Sequence, residues 1–200
     1  DSYLNELISK GYEVAICEHV EDPKAAKGIV KREVIRIVTP GTNLNAQALD
    51  ETKNNYLMCI VYIGDTYGIS TADVSTGDYY VTEVDSSKKL LDEITKFAPA
   101  EIIHNDYFLM SGASLDDIKN RLNISVSALD RWYTDEDMCI SKLKEHFKVS
   151  VIDGLGLKDY PIGTIAAGAL LQYLYETQKN ALPHLTRLTP YQSGKYMIID

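Results

Sequence analysis

Apolar positions at Leu4, Leu7 and Ile8, closed by Gly11, predict a short opening helix. Glu13 to Glu18 alternates as a strand does. Asp22-Pro23 then predicts a short helix stopped by Gly28, and Lys31 to Thr39, rich in Val and Ile, predicts a second strand. Thr39-Pro40-Gly41-Thr42 has Pro and Gly where a type II turn needs them. Asn43 to Asn55 is polar and reads as a linker. From Tyr56 the period shortens: Tyr56–Ile63, Gly68–Asp73 and Tyr79–Val84 read as three strands separated by turns at Gly64–Tyr67 and Ser75–Asp78.

The later pattern alternates. A helix over Ser87–Phe97 places Leu90, Leu91, Ile94 and Phe97 on one face. Ala100–His104 reads as a strand, and Ser114–Leu122 as a helix opened by a capping box of Ser114 and Asp117. Ser125–Leu129 is a further strand. Thr134–Phe147 is a helix, and Ile162–Asn180 is the longest, with Ile165, Ala166, Ala169, Leu170, Tyr173 and Leu174 as its apolar stripe. Three antiparallel strands followed by alternating helices and strands predict an α/β fold with a mixed sheet, of ribonuclease H-like order, preceded by a partial α/β half-domain. The domain expectation is a half-domain over 1–42, a linker over 43–55, the sheet domain over 56–187 and the start of another domain over 188–200. Because both ends fall inside predicted elements, the chain is expected to be a piece of a longer one.

Composition narrows the function classes. The 200 residues suit one domain plus an extra element, and their 24% charged and 45% apolar content is that of a globular protein. The three cysteines (Cys17, Cys59 and Cys139) are far apart and without a CxxC pair, which favours a reducing compartment over a disulfide framework or zinc site. With no apolar run long enough to span a bilayer, no membrane partner and a cytoplasmic location are expected.

The net charge of −9 makes the whole chain a poor autonomous binder of nucleic acid. Yet Lys24, Lys27, Lys31, Arg32 and Arg36 sit within one short stretch with a single acid, Glu33. Either they approach a phosphate backbone or they are solvated residues around two strands, the commoner fate of a charge run.

Other chemistry is weaker. Asp65, Asp73 and Asp78 invite comparison with a metal-dependent nuclease of ribonuclease H type, but the first strand, Tyr56–Ile63, has no carboxylate, and Asp is ordinary in turns. Gly154-Leu155-Gly156 lacks the third glycine of a dinucleotide loop, so it reads as a connecting turn. The four histidines (His19, His104, His146 and His184) show no ligand spacing. Cys59 and Cys139 fall in apolar patterns, and Cys17 has no charged activator. Trp132 beside Tyr133 is a contact patch or a packing anchor.

A resemblance adds to this reading. AICEHVEDPKAAKGIVKREVIRIVTPGT (residues 15–42) resembles the end of the mismatch-recognition domain of the MutS family of bacterial DNA mismatch repair proteins. LDETKNNYL, ADVSTGDY, AAGALLQYLYETQK and LPHLTRL resemble the connector domain that follows it, and the final MIID resembles the entry to the lever region. The likeness covers nearly the whole chain. His19 departs from it, since the family commonly has Gln there.

The resemblance implies a non-catalytic connector that couples mismatch recognition to an ATP-driven change and docks MutL. The parent would be a homodimer acting on mismatched DNA through its other domains. It also implies that Lys24, Lys27, Lys31 and Arg32 belong to a DNA-facing domain; for the MutL-facing surface the candidates are Tyr175, Glu176, Gln178 and Lys179, polar enough near the end of the longest helix to face a partner. The Phe-x-Glu reader is not among these residues, since Phe97, Phe108 and Phe147 all lack Glu two positions on. No P-loop occurs either: Gly194-Lys195 is followed by Tyr196. ATP and Mg²⁺ are therefore expected in the parent and no cofactor here. Two alternatives stay open, a ribonuclease H-type nuclease and an autonomous DNA-binding module on Lys24–Arg36.

Overall fold

The computed structural model describes residues 2–22, 24, 25, 27–44, 53–179 and 182–194. In chain order the regular elements are α1 (Ser2–Ser9), β1 (Val14–His19), β2 (Arg32–Val38), β3 (Leu57–Ile63), β4 (Thr66–Ala72), β5 (Tyr79–Val84), α2 (Ser87–Phe97), β6 (Glu101–His104), β7 (Ser125–Ala128), α3 (Glu136–Phe147), α4 (Pro161–Gln178) and β8 (Thr189–Pro190).

β1 and β2 form a separate antiparallel ribbon, and the other strands form a mixed sheet of order β7-β6-β3-β4-β5-β8. β3 to β5 run as an antiparallel meander, while β6 pairs parallel with β3, β7 with β6 and β8 with β5. The predicted α/β class with a mixed sheet is therefore what forms. The tiny β8 was not foreseen, because two residues of Thr and Pro carry no strand signal of their own.

β3 is central, and its alternation divides the interior. Leu57, Cys59 and Val61 face a core shared with α3 and α4, whereas Met58 and Ile60 face a second core closed by Leu90, Ile94 and Phe97 of α2. A strand buried on both faces must be apolar throughout, which explains the run LMCIV.

α4 is buried nearly all round, so the predicted stripe is only one of its packed faces. It lies against β3, β4 and β5, against α3, and against the end of the ribbon. Its first turn has no side-chain cap of its own. Glu83 of β5 fills that role, accepting from the backbone N–H of Ile162 at 2.7 Å and of Gly163 at 3.0 Å.

Several boundaries differ from expectation. The β3–β4 turn needs only Gly64 and Asp65, both at positive φ, so β4 starts at Thr66 rather than Gly68. Ser114–Leu122 is helical over 115–121, but most of it is wound as a wide π turn. That turn covers Asp117–Arg121, with Ser114 Oγ accepting from Asp117 N at 3.3 Å.

α3 starts two residues later than expected, capped by Asp135 through a 2.9 Å bond from Met138 N. Thr39–Thr42 is not a type II turn but a 3-10 turn, and Gly41 does not take a positive φ. The expected helix after Asp22 includes Pro23 and Ala26, which lie outside the described residues; Asp22 itself accepts from Lys24 N and Ala25 N. The linker expectation falls largely, and the MIID expectation wholly, outside the described residues.

Candidate functional site

The basic stretch lies on the ribbon and its loop, and the side chains are solvent-exposed except Arg36. Lys31 Nζ pairs with Glu33 at 2.9 Å, and Arg32 Nε donates to His19 Nε2 at 2.8 Å. Lys24 and Lys27 have no side-chain ion pair among the described residues. Arg36 instead turns inward, its Nη2 donating to Thr42 O at 3.0 Å. Among the described residues the cluster thus divides into two cations without an ion pair, two engaged ones and one structural residue.

Where the ribbon meets the sheet domain there is a buried polar junction. Glu101 opens β6 and is 1% exposed. Its Oε2 accepts from Thr39 Oγ1 at 2.6 Å and from Gly41 N at 2.9 Å, and its Oε1 accepts from Tyr173 of α4 at 2.7 Å. Burial raises its pKa above the ordinary glutamate value, although these three donors pull the other way. Burial together with the Glu101 carboxylate also drives the Tyr173 hydroxyl far up. Sequence reasoning missed this junction. A lone Glu at the start of a strand looks like a solvated residue.

At the far end of α4 the four candidate residues have different fates. Gln178 is buried at 7% exposure, so it presents no surface. Tyr175 is half-buried, its hydroxyl 2.7 Å from His146 Nδ1. Glu176 and Lys179 are exposed and lie 3.4 Å apart as an ion pair.

Tyr175 and Glu176 also line a groove of about 430 Å³ with Trp132, Met138, Lys142 and Glu145. Trp132 stacks on Tyr133 with ring centroids 3.7 Å apart and stays 42% exposed; Lys142 Nζ sits 3.8 Å from the Tyr175 centroid. Burial and the carboxylates of Glu176 and Asp130 push the Tyr133 hydroxyl up to about 12. An aromatic floor with an acidic rim suits protein contact. The signal available in sequence was Trp132-Tyr133, but its meeting with α4 depends on the tertiary fold.

The carboxylates once compared with a nuclease are differently employed. Asp73 Oδ1 accepts from Ser75 N, Ser75 Oγ and Thr76 N, and its Oδ2 accepts from Asn55 N. It shapes the β4–β5 turn. Asp65 sits in an exposed turn and accepts from Tyr62 at 3.0 Å. Among the described residues no group of three His, Cys, Asp or Glu side chains is placed to hold a metal ion. Gly154 and Gly156 belong to a connecting 3-10 turn. Cys59 and Cys139 are buried, the Cys139 thiol pushed up to about 12 by burial, and Cys17 is exposed. No helix among the described residues is long and apolar enough to cross a membrane.

Comparison with known proteins places both parts of the chain in one family. The family model described as MutS domain I matches residues 1–47, and that described as MutS domain II matches residues 55–186. The DNA mismatch repair protein MutS of Lachnoclostridium phytofermentans is 61% identical over 200 residues, which is 100% of this chain and 22% of that protein. The proteins of the same name from Ruminiclostridium cellulolyticum and Acetivibrio thermocellus are 43% and 44% identical over 203 residues, covering 100% of this chain and 23% of each of them. The chain thus spans less than a quarter of the length of these relatives.

Proposed function

The chain belongs to the MutS family of DNA mismatch repair proteins, and on that premise we propose that it is the mechanical link between a mismatch reader and the rest of its parent. The matched parts are described as MutS domains I and II, which we read as the mismatch-recognition and connector domains, neither of them catalytic. The observation that carries the reading is the junction at Glu101, where the end of the ribbon is built into the core of the sheet domain. The strand order supports a ribonuclease H-like connector whose carboxylates serve turns rather than catalysis.

In the full protein this link couples recognition of mismatched DNA to an ATP-driven change. ATP and Mg²⁺ would be held elsewhere in the parent, a cytoplasmic homodimer. Lys24 and Lys27, in the loop of the ribbon and without a side-chain ion pair among the described residues, supply phosphate contacts, with Lys31 and Arg32 in support. MutL docks at the groove of Trp132, Met138, Tyr175 and Glu176, with Lys179 at its margin. Gln178 has no part in it, being buried.

Calorimetric titration of this chain with the N-terminal region of MutL, at low and physiological salt and with homoduplex DNA as control, tests the docking. Binding lost on Trp132→Ala but kept on Lys96→Ala is the expected result. No binding to MutL, in the full-length parent as well as in this chain, would refute it.

A further inference from the structure

The junction has properties beyond a simple covalent continuation. Thr39 and Thr42 brace each other, Thr39 N donating to Thr42 Oγ1 at 2.9 Å and Thr42 N to Thr39 O at 3.1 Å. That brace directs the Thr39 hydroxyl and the Gly41 N–H onto one oxygen of Glu101. Position 41 admits no side chain: a Cβ there would lie 2.9 Å from Glu101 Oε2 and 3.0 Å from Leu57 Cβ. Further bonds converge. Asn55 Nδ2 donates to Pro40 O at 3.0 Å, and Asn43 Nδ2 donates to Asn5 Oδ1 of α1 at 3.3 Å. Tyr173, besides its bond to Glu101, reaches Glu13 Oε1 at 3.3 Å, so the foot of β1 is also tied to α4.

We propose that Glu101 is a positioning residue that latches the β1–β2 ribbon to the sheet domain, so that the two turn as one body and separate only all at once. The proposal rests on the linking role above and names the group that performs it. An ionised carboxylate only accepts hydrogen bonds, and here its donors come from both bodies: Thr39 and Gly41 from the ribbon's end, Tyr173 from α4. Partial slippage would strand a buried acceptor without its donors, a more costly state than either full docking or full release. The interface is therefore bistable rather than slack.

The ribbon beyond the latch touches little, and Ile29 at its tip is 100% exposed. β2 has seven residues, so the basic loop projects roughly 20 Å from the latch at about 3.3 Å per residue. A small rotation at Glu101 becomes a large excursion of Lys24 and Lys27.

The exposed Cys17 offers a label site on the ribbon, since Cys59 and Cys139 are buried and their thiols pushed up. A second label at Asp92→Cys on α2 allows the distance distribution between the two bodies to be read by electron spin resonance. Amide exchange is followed in parallel. With wild-type Glu101 the distribution is narrow. Glu101→Ala broadens it and speeds exchange at Gly41 and Thr42 by roughly tenfold or more, with the amides of Met58–Val61 and Leu170–Leu174 unchanged.

Thr39→Val removes one donor from the ribbon side without touching the sheet core, and it broadens the distribution too. If both variants keep the wild-type distribution, the latch does not exist. If core amides open as much as those of the turn, Glu101 is a packing residue and the proposal also fails. Neither MutL nor DNA enters the experiment, so its outcome is separate from that of the docking test.

Discussion

Gly168 of α4 packs directly on Cys139 of α3, so closely that a Cβ at position 168 would lie 2.6 Å from Cys139 Cα. The two helices can meet at this distance only because one of them has no side chain there. The Cys139 thiol is itself engaged, its Sγ donating to Tyr133 O at 3.1 Å. Gly168→Ala should therefore destabilise the sheet domain by about 2–3 kcal/mol, despite the better helix propensity of alanine. Urea unfolding with an unchanged m-value is the check.

Glu83 closes the first turn of α4 from another element. Glu83→Ala should lower stability by about 1–3 kcal/mol, since two N–H groups near a helix N-terminus lose a charged acceptor. Glu83→Gln, which keeps an oxygen but no charge, should recover about half of that on the same denaturation curve.

His104 gives a pH dependence with a definite sign. Burial lowers its pKa below the ordinary 6.5, and Lys119 lowers it further, while Asp106 and the bond to Asn105 O oppose the shift. A base whose folded pKa is depressed contributes stability above its unfolded pKa and loses it as pH falls through the folded value. Wild-type stability should thus decline below about pH 6.5. His104→Gln should be less stable at neutral pH but flatter across that acid range, as thermal unfolding at a series of pH values would reveal.

Glu101 has the opposite sign. Burial raises its folded pKa above 4.5 against the pull of its three donors, so the associated stability is fully present at acid pH and is lost as pH rises through the folded value. Glu13, sharing the Tyr173 hydroxyl, adds to the rise. Glu101→Gln resembles the protonated acid, with its amide facing Tyr173. The variant should therefore fall short of wild type most at acid pH and compare more favourably toward neutrality, in parallel calorimetric scans.

Lys24→Ala/Lys27→Ala in the full-length parent should weaken homoduplex binding and flatten its salt dependence, by about 0.9 in slope for each phosphate contact removed. Lys31→Ala should change less, because Lys31 is already paired with Glu33. Affinity measured between low and physiological salt separates the two.

Much of the architecture was legible because it depends on local periodicity. β5 and α2 form where their apolar spacing places them, and the meander follows from its turn residues. What could not be read was contact between distant segments. Nothing near Glu101 announces that Thr39, 62 positions earlier, and Tyr173, 72 positions later, will bind it. Gly41 misled for a related reason: its small size meets a close approach by Leu57 and Glu101, not a left-handed turn. Gln178 looked like surface because its polarity was visible and its burial under neighbouring elements was not. Trp132 needed α4 beside it before it became the wall of a groove.

The same distances bear on synthesis. The ribbon leaves the ribosome first, but Glu101 follows Thr39 by 62 residues and Tyr173 follows Glu101 by another 72. At about 5–20 residues per second, the ribbon waits roughly 7–27 s before both halves of its berth have been made. During that interval Val34 and Ile35 stay open to water, and they remain half-exposed even in the finished fold. A nascent chain arrested before Tyr173 should hold a paired but undocked ribbon, vulnerable to proteolysis and in need of a chaperone. The order in which the junction is completed is thus written into the spacing of three residues.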